Sequence, residues 1–219
     1  MACVKILKKL GHEVLFPERQ TCCGQPPFNT GFWKEAREAA KRALDVFESA
    51  EVVVGPSGSC IAMMKDGYGD LFKGTADEAR ARALAAKTFE FTQFLVNVLG
   101  VTDLGASFPH KVTFHDGCHG LRMLGAKREP RALLEKVRGL ELVEMGEAES
   151  CCGFGGTFSV KFPKISTAMV EKKAASIVET GAEYVTSLDA SCLMNIGGYA
   201  SRNRLPFKTI HVAEILANF

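Results

Sequence analysis

The sequence Cys-Cys-Gly occurs twice in the chain, at 22–24 and at 151–153, and each copy is followed by a lone distal cysteine, Cys60 or Cys192. Adjacent cysteines do not readily pair with each other, because a disulfide needs Cα atoms about 5.5–6 Å apart and neighbours lie about 3.8 Å apart. A following glycine lets the backbone turn tightly and brings its N–H groups close to a ligand. The doubled sequence therefore favours ligand binding by the thiols over simple packing.

The similarity of the two halves extends beyond the cysteines and indicates an internal duplication. CVKILKKLGHEVLF matches ALLEKVRGLELVE, VVVGPSGSC matches YVTSLDASC, and FTQFLVNVLG matches HVAEILANF. Strands alternate with helices in this pattern, which favours largely parallel sheets. We therefore expect an α/β fold of two similar units, 1–103 and 104–219, each with a mainly parallel sheet and flanking helices.

The hydrophobic pattern gives an order of elements that places the cysteines. Strands are predicted at 13–16, 51–54, 111–114, 141–143, 183–187 and 207–210, and helices at 2–10, 32–50, 75–99, 129–137 and 164–180. Apart from Cys3, the cysteines follow strands directly or through a short loop. Because ligand sites in open α/β sheets collect at the carboxyl ends of strands, we expect these cysteines to converge there.

The first half has no counterpart of the strand at 111–114 or of Cys118, which is separated from Cys151 by 32 residues. Only 18 residues separate Cys3 from Cys22, and Cys3 aligns with the helical residue Arg131. We expect that about one strand and one loop are missing before the first half. Cys3 is then expected to be a small core residue, as a lone helical cysteine usually is.

The candidate ligands form one complete and one incomplete set: Cys118, Cys151, Cys152 and Cys192 in the second half, and Cys22, Cys23 and Cys60 in the first. Four converging thiolates suit either a structural zinc or an iron–sulfur cluster. Zinc sites usually contain Cys-x2–4-Cys knuckles, which these spacings do not provide, so iron–sulfur is preferred. Eight cysteines without a secretion signal indicate metal or redox chemistry in a reducing cytoplasm.

Composition excludes two classes of partner. A formal net charge of +2, without a basic stripe interleaved with aromatic residues, gives no support for nucleic-acid binding. No window approaches 18 uncharged apolar residues, so no membrane span is expected.

An upstream cysteine, then Cys-Cys-Gly, then a distal cysteine, in duplicate, resembles the cysteine-rich CCG domain family. That family includes the cluster-binding component of heterodisulfide reductase and the iron–sulfur subunit of glycolate oxidase. The phrases FPERQTCCGQPPFNTG, GPSGSC, CCGFGGTFSVK and CLMNIGG are similar to a lactate-utilization branch of the family, and the likeness runs essentially from end to end.

The resemblance implies an iron–sulfur electron-transfer subunit of a multi-component cytoplasmic L-lactate oxidation system, acting with its other subunits and not as an autonomous enzyme. One [4Fe–4S] cluster is expected on the four second-half cysteines, with Gly153 offering an N–H to sulfur, and a second if the missing segment is present. The alternatives are a catalytic cluster, as in heterodisulfide reductase or glycolate oxidase, and a structural zinc module.

The catalytic alternative depends on one further cysteine. In the heterodisulfide reductase branch the motif ends in Cys-x-x-Cys, and that branch can hold a non-cubane cluster. This chain has Ser57 and Asp189 where that motif has its first cysteine. Four remaining cysteines favour an ordinary cluster and electron transfer. His115 and His119 flank Cys118 as ligands, proton relays or polar loop residues.

Overall fold

The computed structural model describes residues 1–219. Its first half is mainly helical, with one pair of short parallel strands, β1 and β2. Two π-helical segments, Met63–Gly67 and Phe94–Val98, continue short α-helices. The regular elements are α1 (Ala2–Lys9), α2 (Gln25–Asn29), α3 (Trp33–Phe47), β1 (Val53–Gly55), α4 (Gly58–Ala62), α5 (Tyr68–Phe72), α6 (Glu78–Ala86), β2 (Thr88–Glu90) and α7 (Phe91–Gln93).

The second half contains a four-stranded parallel sheet with strand order β4-β3-β5-β6. Its elements are β3 (Lys111–His115), α8 (Cys118–Arg122), α9 (Arg128–Leu134), β4 (Glu141–Leu142), α10 (Phe158–Lys161), α11 (Pro163–Glu179), β5 (Tyr184–Ser187), α12 (Ala190–Arg202), β6 (Lys208–His211) and α13 (Val212–Leu216). Mixed α/β architecture with parallel sheets is confirmed.

Alternation along β3 separates two apolar cores. Val112 and Phe114 belong to a cluster of 20 buried residues on one side of the sheet. Thr113 and His115 point to the other side, where Val185, opposite Thr113 on β5, packs in a cluster that contains Cys152 and Cys192. The sheet thus places one face of β3 against the candidate ligands.

The largest core is built from both halves. It combines Ile6 of α1 and Phe91 of α7 with Phe114 of β3 and Leu216 of α13, all almost fully buried. A smaller cluster around Tyr68 and Phe72 lies within the first half. Burial of apolar surface therefore holds the two halves against each other as well as stabilising each one.

The strand predicted at 13–16 is wrong. These residues are irregular, and the side chains of Leu15 and Phe16 are 79% and 73% exposed. The corresponding strand of the second half, β4, pairs with β3. Because nothing corresponding to β3 lies beside 13–16, this segment has no ladder to join.

The continuous helix predicted at 75–99 is also wrong, since β2 interrupts it at Thr88–Glu90 and pairs with β1. The other predicted elements occur within a few residues of their expected bounds. No helix of the chain combines the length and apolar character needed to cross a bilayer.

Candidate metal centre

The four second-half cysteines lie where three parallel strands end. Cys118 begins α8 just after β3, Cys151 and Cys152 lie in the loop that follows β4, and Cys192 lies in the first turn of α12 after β5. Because the carboxyl ends of parallel strands meet at one edge of a sheet, three separate loops deliver their cysteines to one place.

The four thiols lie next to one another in series. Cys151 is close enough to Cys118 and to Cys152, and Cys152 to Cys192, for their pKa values to be coupled. All are free thiols. The residues proposed as a set from sequence spacing alone are therefore brought together, with donor chemistry that suits a thiophilic metal or an iron–sulfur cluster.

Hydrogen bonds among the thiols favour the thiolate form of Cys151 and the protonated forms of Cys118 and Cys152. Hydrogen bonds from Cys118 and then Cys152 lower the pKa of Cys151, whereas the hydrogen bond to Cys151 and then burial raise the pKa of Cys118. Hydrogen bonds with Cys151 and Cys192 raise the pKa of Cys152. A metal that bound here would have to displace the remaining protons, so its affinity would depend on pH.

Glycine is required in each Cys-Cys-Gly turn. Gly24 and Gly153 have φ of 87° and 84°, in the left-handed region. A Cβ at Gly153 would lie 2.6 Å from the carbonyl oxygen of Ser166, and one at Gly24 would lie 2.8 Å from that of Ala36. The turn lets the Gly153 N–H donate to Cys151 Sγ at 3.3 Å, as its position predicted.

His115 faces the same thiols from the buried side. Its ring and the Cys152 and Cys192 sulfurs present ligand atoms that all lie within 4.8 Å of one another. The imidazole is fully buried, and neither ring nitrogen has a hydrogen-bond partner. Burial, and then the charge of Lys173, lower the pKa of His115 to about 3. An unpartnered buried polar group is costly, and a group bound among the cysteines would give it a partner.

A bidentate ion pair fixes the loop between His115 and Cys118. Both terminal guanidinium nitrogens of Arg131, Nη1 and Nη2, donate to the Asp116 carboxylate at 2.9 Å, and the Asp116 side chain is fully buried. Arg131 also pairs with Glu144. His119, on the other side of the loop, has its Nδ1 3.5 Å from Cys118 Sγ.

Sequence reasoning missed Lys173, which lies on the buried face of α11. None of its surface is exposed, although lysine is rarely buried. The available signal was its spacing: Lys173 continues the buried series Ser166, Val170 and Ile177 at helical intervals. Lys161 and Lys164, by contrast, are exposed.

The first-half cysteines form a smaller set. Cys23 and Cys60 lie within hydrogen-bonding reach of each other, and the hydrogen bond from Cys23 lowers the pKa of Cys60 to about 7. Cys22 is exposed. Cys3 lies on α1 and packs against the core shared by both halves, where burial raises its pKa to about 12.

Comparison with known proteins gives the family. The model of the cysteine-rich CCG domain matches residues 1–65 and 112–197. Lactate utilization protein A of Geobacillus thermodenitrificans is 52% identical over 216 residues, which are 98% of this chain and 90% of the relative. That of Oceanobacillus iheyensis is 51% identical over 214 residues, 97% of this chain and 87% of the relative. The chain therefore belongs to the cysteine-rich CCG domain family, in the branch that contains the lactate utilization A proteins.

Proposed function

We propose that the chain is the iron–sulfur electron-transfer subunit of a multi-component L-lactate oxidation system, with a [4Fe–4S] cluster on Cys118, Cys151, Cys152 and Cys192. The convergence of these four coupled thiols at the ends of β3, β4 and β5 is the observation that carries the proposal. The lactate substrate is inferred from the names of relatives that match nearly the whole chain.

The surroundings of the four thiols suit such a cluster. A four-thiolate cluster is negatively charged and is tuned by N–H donors to sulfur and by its exposure to solvent. Here the Gly153 N–H already points at Cys151, while Cys152 and Cys192 are buried. The cluster, when bound, would supply one-electron transfer. The surrounding residues would hold it, shield it from water and set its potential.

The division into units at 1–103 and 104–219 and a cytoplasmic location are parts of this proposal. Cys22, Cys23 and Cys60 are proposed to hold a second cluster only when a further ligand completes the set. Removal of hydride from lactate would then occur on another component, since the sequence carries no flavin or nicotinamide motif.

A structural zinc site is the second candidate. The His115, Cys152 and Cys192 group is the observation that favours it, because zinc readily accepts mixed imidazole and thiolate ligands. The catalytic-cluster alternative is less well supported. Asp189, at the position of a fifth cysteine, directs its carboxylate to Ser57 and Ser59.

Metal and sulfide analysis of protein purified without oxygen tests the proposal. We expect about four iron and four sulfide per complete site and brown colour, lost in Cys151→Ser and retained in the matched control Cys3→Ser. The purified chain alone should not oxidise L-lactate with an artificial acceptor. Stoichiometric zinc without sulfide would instead support the zinc site, and turnover by the single chain would support a catalytic cluster.

A further inference from the structure

Lys173 is a buried cation without a carboxylate partner. Its ammonium group donates to the backbone carbonyls of Glu147 and Ala148. No carboxylate oxygen lies within 4.0 Å of it, whereas the neighbouring Lys172 is exposed and pairs with Glu147 at 2.9 Å. A buried charge is expensive unless an opposite charge compensates it, and two carbonyl dipoles do so only in part.

The cysteines supply the opposite charge when they are deprotonated. Val170, Ala174 and Ile177, which flank Lys173 on α11, pack in the buried cluster that contains Cys152 and Cys192. Burial lowers the pKa of Lys173 to about 8, and the largest opposing influence comes from the charge of Cys152, followed by those of Glu147 and Asp116. Four thiolates around a [4Fe–4S] cluster or a zinc ion carry a net charge of about −2. A site with only two thiolates and an imidazole around zinc would be neutral and would not need a buried cation.

The first half lacks this cation. The glycine of each Cys-Cys-Gly packs against the following helix, at Ala36 in the first half and at Ser166 in the second. Counting along α3 and α11 from these contacts, Lys173 corresponds to Ala43, which is also buried. The two cysteine sets are therefore electrostatically unequal.

We propose that Lys173 is the counter-charge of the metal centre on the second-half cysteines, which raises the reduction potential of that centre above the potential it would have without the lysine. The inference deepens the proposed function and rests on it. A nearby cation in a low-dielectric interior stabilises the more negative, reduced state of a cluster and so raises its reduction potential.

The test uses the full chain with Cys60→Ser, so that only the second site can bind a cluster. The midpoint potential is measured by anaerobic redox titration followed by electron paramagnetic resonance. Lys173→Gln keeps a donor for the carbonyls but removes the charge, Lys173→Met removes both, and Lys173→Arg keeps both. Lys172→Met is the matched control, because it removes an exposed lysine one residue away.

Lys173→Gln and Lys173→Met should both lower the potential, while Lys173→Arg and Lys172→Met should stay near the parent value. If both neutral variants fold without a cluster and Lys173→Arg restores it, the counter-charge role is also supported. An unchanged potential in Lys173→Gln would overturn the inference, as would loss of the cluster in Lys173→Met alone.

The metal and sulfide content of the parent protein shows separately whether the proposed iron–sulfur function is wrong. If the parent protein contains zinc and no sulfide, the same variants are compared by chelator competition for zinc. A zinc ion held by all four thiolates would also carry a net charge of about −2, so Lys173→Gln should then weaken zinc binding at least tenfold more than Lys172→Met does. Equal zinc affinities would overturn the Lys173 inference independently of the cluster.

Discussion

Ser57 Oγ donates a hydrogen bond of 2.8 Å to Asp189 Oδ1, although the two residues lie 132 positions apart. They occupy corresponding positions in the duplicated halves, each three residues before the distal cysteine, Cys60 or Cys192. The two halves therefore meet through equivalent residues next to both candidate sites.

The Asp189 side chain accepts hydrogen bonds from the first half and does not cap its own helix, α12. It precedes α12 as the N-cap residue but makes no side-chain cap bond there. Its carboxylate instead accepts from the Ser59 N–H at 3.2 Å and from Ser59 Oγ at 2.6 Å. The helices α4 and α8, which carry Cys60 and Cys118, approach closely at Gly58 and Gly120, where a Cβ on Gly58 would lie 2.9 Å from Gly120 Cα.

Asp189→Ala should destabilise the chain by about 1–3 kcal/mol, because the Ser57 and Ser59 donors lose their acceptor. Asp189→Asn retains an acceptor oxygen and should cost less. Urea denaturation of the three proteins measures the differences in unfolding free energy. Asp70→Ala is the control, since Asp70 is exposed and makes no ion pair; an equal effect there would contradict the role given to Asp189.

Gly153→Ala should both destabilise the fold and reduce metal loading of the second site. Its left-handed φ costs an alanine roughly 1–2 kcal/mol, and the Cβ would press against the Ser166 carbonyl. The displaced turn would also misplace Cys151. Thermal unfolding and iron content measure the two effects.

Gly198→Ala is the matched control for that substitution. Gly198 is exposed within α12, a Cβ on it would meet no other atom within 4 Å, and it should tolerate alanine with unchanged or slightly higher stability. Normal iron content in Gly153→Ala would show that this turn is not needed to hold the cluster.

Glu90 should make stability fall as pH rises. Burial raises the pKa of Glu90 from 4.5 to about 7. Between these values the folded chain binds more protons than the unfolded chain, so the stabilising effect of protonation is complete below about pH 4.5 and is lost towards pH 7. The full change is at most about 3 kcal/mol.

Comparison with Glu90→Gln isolates this contribution. The amide resembles the protonated carboxyl and still offers an oxygen to the Thr92 and Gln93 N–H groups that Glu90 caps. The pKa of His115 is lowered by burial, so this residue makes the unfolding free energy fall as pH drops below about 6.5. That effect is the same in the parent and in Glu90→Gln and cancels when the two are compared. The variant should match the parent near pH 4.5 and exceed it near pH 8 in unfolding free energy. A constant difference across this range would contradict the assignment.

The duplication explains what the sequence could and could not predict. The convergence of Cys118, Cys151, Cys152 and Cys192 followed from their positions after strands, because the carboxyl ends of parallel strands meet at one edge of a sheet. The strand at Thr88–Glu90 was hidden by helix-forming neighbours, and its pairing with β1 is a tertiary effect that local pattern does not report. The internal duplication could have revealed this strand, because the strand predicted at 207–210 occupies the corresponding position in the second half.

The strand prediction for residues 13–16 was wrong for the opposite reason, because here the local pattern indicated a strand that the tertiary structure does not pair. Their apolar, extended pattern is locally suited to a strand, but a strand forms only beside a partner. Lys173 was missed because a lysine in a helix is read as surface, and only the packing of α11 against the cysteines reveals its burial. The site could be predicted as a set of ligands, but its electrostatic environment required the three-dimensional structure.

Cys3 and Cys118 provide the last prediction, because each is the first cysteine of its half. Cys118 contacts Cys151, whereas Cys3 packs on α1 against the shared core. Cys3→Ala should therefore leave iron and sulfide content unchanged and cost at most about 1 kcal/mol of packing. Cys118→Ala should remove most of the iron from the second site while the chain stays folded. Anaerobic iron analysis and circular dichroism on both variants provide the comparison. Loss of iron in Cys3→Ala would show that Cys3 is a ligand and that the alignment of the two halves is wrong.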